Sequence, residues 1–260
     1  MSPRPLRAQG LSAAFMALTF LCLARMSGAA SPAQGPADVA PRPDPTATLG
    51  VRALQYFAPI RQQSWNEYLK SIRPAPVSAD KRARSLAMVR KEDVIEPSAE
   101  RQAKLDALRP VLVYLERDAV IEVKVLRLKP AWAGFLGGAA VLVSEAAVDL
   151  LTAEELQATV AHELAHEYFA DEYEAARSDK RYDTVKEVEL RCDAISIVTL
   201  RQLGLDSGAL LSAVSKLTKF NERHGLPSNP NLGPSTKERA RFAHAVARLV
   251  AADGAGDEAP

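Results

Sequence analysis

Two histidines four residues apart, with a glutamate beside the first, are the residues of this chain best suited to chemistry. They belong to the run Ala161-His162-Glu163-Leu164-Ala165-His166, which has H-E-x-x-H spacing. Residues four apart lie on one face of a helix, so His162 and His166 could both bind one zinc ion. Glu163 lies beside them, where a carboxylate could take a proton from a zinc-activated water. The motif therefore predicts a zinc site with Glu163 as its general base.

The surrounding sequence predicts a helix that carries both histidines. Thr152 and Glu155 have the spacing of a capping box, with the threonine as N-cap and the glutamate at the third helical position. An apolar stripe at helical spacing follows at Leu156, Val160, Leu164 and Phe169. No glycine or proline interrupts residues 153–176. We therefore expect one helix with both histidines at its middle, where their geometry is rigid.

A second helix is predicted to supply the third ligand, because a catalytic zinc usually has three protein ligands and a water. Thr184 and Glu187 could form its capping box, and the apolar spacing over residues 185–203 ends at Gly204. Glu189 on this helix is the predicted ligand, and Glu187 is the alternative.

Two neighbours of Glu189 on this helix could also take part in a metal site. Cys192 is a chemically possible ligand, although a small buried side chain is the simpler interpretation. Asp193 lies one turn beyond Glu189 on the same face, where it would hydrogen-bond a ligating imidazole. One further histidine, His224, lies near the C-terminal loop and could enter the cleft.

Composition and charge describe an ordinary globular protein with an export signal. The 260 residues carry a formal charge of +1, which gives no argument for nucleic-acid binding. Residues 1–29 resemble a secretory signal peptide: Arg4 and Arg7 precede an apolar run over residues 11–23, and small residues follow. The alternative is an uncleaved anchor, but a bilayer takes about 20 apolar residues. We therefore expect a secreted or periplasmic protein with no stable membrane span after cleavage.

The rest of the chain divides into four predicted segments. A disordered linker rich in proline and alanine covers residues 30–48, and a helical region that Pro59 breaks or kinks covers residues 49–118. The metal-binding domain covers residues 119–252, and a disordered tail covers residues 253–260.

A small sheet is predicted just before the zinc helix. Residues 120–128 nearly alternate between polar and apolar, which predicts one strand, and residues 139–143 predict a second. Gly134, Gly137 and Gly138 between them predict a turn. The expected fold class is thus α+β and mostly helical. An edge strand of this sheet could pair with an extended peptide.

The run from about Ala131 to Arg239 resembles the zinc metallopeptidases of the HtpX, BepA and Ste24 type, which include the CAAX prenyl proteases and soluble periplasmic members. That family pairs H-E-x-x-H with a downstream E-x-x-x-D, matched here by Glu189 and Asp193. It also has a glycine-bearing edge strand, which residues 131–138 resemble. Near the C-terminus it often has a His-Pro pair followed by an arginine, and here Gly233, Pro234 and Arg239 stand in that segment.

This resemblance implies a zincin-like core of the gluzincin type, with the small sheet beside the zinc helix and one Zn²⁺ per chain. Arg239 would be an oxyanion or structural partner of the site. This sequence departs from the family's pattern at two positions. Gly233 stands where the family has a histidine, and Pro130 stands where it often has an asparagine. The first leaves no histidine in that loop to gate the site or stabilise the transition state.

The predicted function is zinc-dependent endopeptidase activity on proteins or peptides, and the resemblance implies misfolded envelope proteins as substrates. One alternative is a periplasmic chaperone or adaptor that keeps the zinc fold without cutting its clients. Another is a purely structural zinc, but such sites favour four Cys or His ligands and this set leaves one position open.

Overall fold

The computed structural model describes residues 48–61, 63–226 and 229–254. The predicted signal peptide, almost all of the predicted linker and residues 255–260 of the predicted tail lie outside these ranges. The described chain is α+β and mostly helical, as the sequence predicts, with a three-stranded sheet. None of its described helices is long and apolar enough to cross a membrane.

Short helices form the first part of the described chain. They are α1 (Leu49–Gln55), α2 (Trp65–Ile72), α3 (Ala79–Ala87), α4 (Ala99–Asp106) and α5 (Arg109–Tyr114). The predicted break at Pro59 is present, since a 3₁₀ turn (Ala58–Arg61) separates α1 from α2. Ser64 and Glu67 then form a capping box that starts α2.

The three strands are β1 (Glu122–Leu126), β2 (Ala133–Leu136) and β3 (Ala140–Ser144), in the spatial order β1-β3-β2. β1 runs parallel to β3, and β2 runs antiparallel to it. Gly137 and Gly138 have φ of 47° and 74° at the β2–β3 turn, a region that glycine reaches without a steric penalty. The predicted turn at Gly134 is wrong, because Gly134 lies inside β2 opposite Leu142.

Gly134 allows a side chain to pack closely against the backbone of β2. The Trp132 ring lies against it, and a Cβ at this position would be 2.2 Å from the ring. This glycine-bearing β2 is an edge strand, since no described residue pairs with its outer side. The outer side of β1 is partly covered, because the N–H of Ile95 donates to the carbonyl of Val125 at 3.0 Å.

Longer helices follow the sheet. They are α6 (Glu145–Leu150), α7 (Ala153–Ala165), α8 (Ala170–Ser178), α9 (Tyr182–Gln202), α10 (Ala209–Arg223) and α11 (Thr236–Gly254). Thr152 and Glu155 form the predicted capping box of α7. The predicted box at Thr184 and Glu187 is wrong, since α9 begins at Tyr182 and both residues lie inside it.

Helices α7 and α9 pack against each other at the centre of the core. Leu156 and Val160 of α7 and Val188 and Ile195 of α9 are all buried in one apolar cluster. The Ser196 hydroxyl donates to the Ala158 carbonyl at 2.8 Å and ties the two helices together. Because protein interiors are close-packed, this contact fixes the axial position of one helix against the other.

Candidate metal centre

Helices α7 and α9 bring His162, His166 and Glu189 together. The Nε2 atom of His162 lies 3.4 Å from one carboxylate oxygen of Glu189, and Nε2 of His166 lies 3.5 Å from the other. One ligand atom from each of the three residues lies within 4.8 Å of the other two. His162 and Glu189 are buried and His166 is partly exposed. The group could therefore hold a metal ion.

The donor set and its spacing suit zinc. Zinc binds imidazole nitrogen and carboxylate oxygen at about 2.0–2.2 Å in tetrahedral geometry, which puts ligand atoms roughly 3.3–3.6 Å apart. The nitrogen–oxygen separations of 3.4 and 3.5 Å fall in that range. Two imidazoles and one carboxylate fill three positions of a tetrahedron and leave the fourth open.

His166 does not lie in the middle of a helix, and this part of the prediction is wrong. The α-helix ends at Ala165, and His166 begins a 3₁₀ turn that runs to Phe169. A buried ion pair holds the turn, in which Arg117 Nε donates to Glu167 at 2.6 Å. His166 is therefore fixed by a contact to a distant part of the chain as well as by its helix.

Asp193 and Arg239 lie behind the ligands, and both are buried. Oδ1 of Asp193 is 2.9 Å from Nδ1 of His162, although the ring is turned so that its N–H does not point at the oxygen. The short separation is compatible with the role predicted for Asp193, which stays a prediction.

Arg239 joins the two carboxylates on α9. One guanidinium nitrogen donates to Glu189 at 3.0 Å, and another donates to Asp193. Both contacts are ion pairs to buried carboxylates, so the guanidinium offsets negative charge behind the ligands. Burial opposes its charge, but Asp193 and Glu189 outweigh that effect and raise the pKa of Arg239 above its ordinary value.

The three candidate ligands differ in protonation when no ion is present. Burial disfavours a charge on His162, but Asp193 and Glu189 outweigh it and raise the pKa of His162 to about 10. Burial lowers the pKa of His166 to about 4. Burial also opposes the charge of Glu189, yet contacts with both histidines and Arg239 hold its pKa well below the ordinary value.

Glu163 is partly exposed and does not belong to the ligand group. Burial raises the pKa of this carboxyl to about 7, and the charge of His162 opposes the rise. The backbone N–H of Phe135, on edge strand β2, also faces the carboxylate and lowers its pKa. A carboxyl poised near neutral pH can both accept and return a proton, which is the property that a general base needs.

The other side chains that the sequence suggested for the metal site lie outside the ligand group. Glu187 accepts from Arg52 at 3.0 Å and pairs with Arg191, so the alternative ligand is not in the site. Cys192 is buried outside the ligand group, and burial raises the pKa of its thiol. His224 stacks on Phe220 of its own helix, and its Nδ1 lies 2.8 Å from the Phe220 carbonyl.

Tyr173 is a residue of the site that the sequence analysis missed. Its ring meets the His166 ring edge to face, with centroids 5.0 Å apart. Its position seven residues after His166, two helical turns on, was the only signal for it.

No protein-family model matches the chain, and no curated protein matches it significantly. The resemblance to the HtpX, BepA and Ste24 type therefore rests on the residues described above.

Proposed function

We propose that this protein is a zinc-dependent endopeptidase. The observation that carries the proposal is the convergence of His162, His166 and Glu189 beside a glutamate, Glu163, that lies outside the ligand group. Three ligands with one open position are typical of catalytic zinc, whereas structural zinc is usually closed by four protein ligands.

The residues of the chain divide the work of peptide hydrolysis. A zinc ion in the site would supply Lewis-acid polarisation of a carbonyl and acidify water. Glu163 would take the proton of the attacking water and pass it to the amine that leaves when the C–N bond breaks. Asp193 would fix the orientation of His162, and Arg239 would balance the charge of Glu189 and Asp193.

No described strand pairs with the outer edge of β2, where the Phe135 N–H faces Glu163, and this edge supports an extended peptide as substrate. In an antiparallel pair every second residue turns its N–H and C=O away from the partner strand. The backbone N–H of Ser144 donates to the Trp132 carbonyl at 2.8 Å, so the backbone groups of Trp132 point toward β3. The backbone N–H and C=O groups of Ala133 and Phe135 therefore point toward the unpaired side of β2. Phe135 faces Glu163. A peptide added to this edge would pass beside the general base and the ligands.

The test combines metal analysis with proteolysis. We expect about one zinc per purified chain, casein hydrolysis that 1,10-phenanthroline stops and added zinc restores, and loss of at least about 100-fold in rate in Glu163→Gln with zinc retained. Glu154→Gln, at an exposed position of the same helix, is the matched control and should hydrolyse casein like the wild type.

Two results would contradict the proposal. One is a Glu163→Gln variant that cleaves as fast as the wild type. The other is a zinc-loaded wild type that cleaves neither casein nor a mixed peptide library, which would favour the chaperone or adaptor. The periplasmic location and the misfolded envelope substrates remain part of the proposal, and fractionation of the producing cell tests the location.

A further inference from the structure

Strand β2 divides its side chains between the two faces of the sheet. Ala133 and Phe135 pack against the main core, which contains α7, whereas Trp132 and Leu136 pack in a second, smaller apolar cluster. The alternation follows from the pleat of the strand, and a peptide added to the edge of β2 would alternate in the same way. Every second side chain of that peptide would therefore lie on the face opposite to the metal centre.

The Trp132 indole covers Gly134 on this second face. Its six-membered ring fills the space that a Cβ at Gly134 would take. The side chain is only partly buried, although it packs against the second cluster. The ring thus lies over the backbone of the edge strand itself and keeps apolar surface that a ligand can contact.

A peptide side chain opposite Gly134 would reach this ring. The backbone groups of Trp132 point toward β3, and those of Gly134, two residues on, point the same way. In antiparallel pairing, Gly134 and the peptide residue opposite would then form a pair without hydrogen bonds, the kind in which side chains lie closest.

The distance across such a pair discriminates between small and large side chains. Paired Cβ atoms are about 4.5–5.5 Å apart, and the indole takes the Cβ position of Gly134. An alanine in the peptide would stop short of the ring, whereas the branched end of a leucine would extend to it. An aromatic side chain would span the same gap and cover the glycine from the other side.

We propose that Trp132 selects the substrate, because its indole contacts the peptide side chain that pairs with Gly134 and favours a large apolar residue there. The substrates would be extended polypeptide segments that carry leucine or an aromatic residue at this position, as unfolded proteins expose. The inference rests on the proposed endopeptidase function and adds a residue that determines its specificity.

The test measures peptide binding to the zinc-loaded Glu163→Gln variant, in which the bound peptide stays intact. The probes are two blocked hexapeptides of threonine and alanine that differ at one central position, which is leucine in one and alanine in the other. Their affinity is measured by calorimetry with Trp132 present and after Trp132→Ala. Tyr182→Ala, which removes an exposed aromatic side chain at the start of α9, is the matched control.

We expect the leucine peptide to bind about five- to tenfold more tightly than the alanine peptide, the gain for partial burial of three carbons. Trp132→Ala should reduce this gain to less than twofold and leave the affinity of the alanine peptide within twofold. Tyr182→Ala should change neither affinity.

Indole fluorescence gives a second measurement that does not depend on Trp132→Ala folding. The leucine peptide should shift the emission to shorter wavelength, because it displaces water from Trp132. The other tryptophan, Trp65, is 1% exposed and should not contribute. Trp132→Phe keeps an aromatic ring, so it should keep at least half of the leucine gain and lose the emission shift.

Four results would overturn the inference. They are a leucine gain below twofold with Trp132 present, a gain that survives Trp132→Ala, equal weakening of both peptides by Trp132→Ala, and no emission shift with the leucine peptide. Casein hydrolysis by the wild type together with any of these would overturn the inference alone. A leucine gain that depends on Trp132, in a protein whose wild type hydrolyses no peptide, would overturn the endopeptidase function alone.

Discussion

The Asp193 carboxylate contacts both a candidate ligand, His162, and the buried Arg239, and its replacement by asparagine should affect zinc affinity and stability separately. It lies 2.9 Å from Nδ1 of His162 and also pairs with the buried Arg239. Loss of a hydrogen-bond partner behind a ligating histidine typically lowers metal affinity by about 10- to 100-fold. At about 1.4 kcal/mol for each factor of ten, we expect zinc binding to weaken by about 1.4–2.8 kcal/mol.

The same change should destabilise the fold for a different reason. Removal of the whole partner of a buried charge costs about 3–5 kcal/mol. Arg239 keeps its 3.0 Å contact with Glu189, so we expect about half of that, roughly 2 kcal/mol. For a chain of this size the melting temperature should fall by about 4–8 °C.

The assay is competition for zinc against a chelator, with thermal unfolding measured in excess chelator. Asp183→Asn is the control, since Asp183 is exposed in the first turn of the same helix and should change neither quantity. Zinc affinity of Asp193→Asn within twofold of the wild type would refute the idea that Asp193 orients His162.

Three further predictions concern the scaffold. Burial opposes the charge of Glu155, but hydrogen bonds, first among them that from Lys216, hold its pKa below the ordinary value. Its stabilisation is therefore present above the unfolded pKa of about 4.3 and is lost as pH falls through the lower folded pKa, so Glu155→Gln should lower the melting temperature by about 4–8 °C at pH 7 and by progressively less as the solution is acidified. Asn221→Ala should cost about 2 kcal/mol and speed amide exchange across residues 131–136, because its carboxamide bonds both the N–H and the C=O of Ala131 at 2.9 Å; unchanged exchange would contradict this. Gly204→Ala should cost about 1 kcal/mol in urea unfolding because φ is +69° with no atom within 4 Å of the added carbon, and a neutral result would contradict the role of φ.

Features set by adjacent residues were predictable from the sequence. The predicted capping box at Thr152 and Glu155 is present, since a capping box depends only on four consecutive positions. The break at Pro59 has the same local origin.

Features set by distant contacts were not predictable. The end of α7 has no glycine or proline to mark it, and the ion pair that holds the following turn joins Arg117 to Glu167, fifty residues away. Glu187 has the spacing of a capping-box residue, but its carboxylate forms ion pairs with Arg191 and with Arg52 on α1. In both cases a buried charge pair overrides the local signal.

The candidate site also combines local features that the sequence predicts with distant contacts that it does not. The spacing of His162 with His166 predicted that their side chains lie close together, and both converge with Glu189, because helical periodicity is local. That α7 and α9 pack with these faces together follows from the apolar core, which the pattern indicates only in outline. The contact of Tyr173 with His166 depends on the 3₁₀ turn between α7 and α8, which the sequence did not predict.

Arg239 makes the centre dependent on the order in which the chain is synthesised. The arginine follows Asp193 by 46 residues and Glu189 by 50. At about 5–20 residues per second, the ribosome takes roughly 2–10 s to reach it after both carboxylates have been made. During that interval Glu189 and Asp193 lack their ion pairs with Arg239, so the packing of α9 against α7 is less stabilised until α11 is in place. We therefore expect metal capture to be a late event in the maturation of the protein.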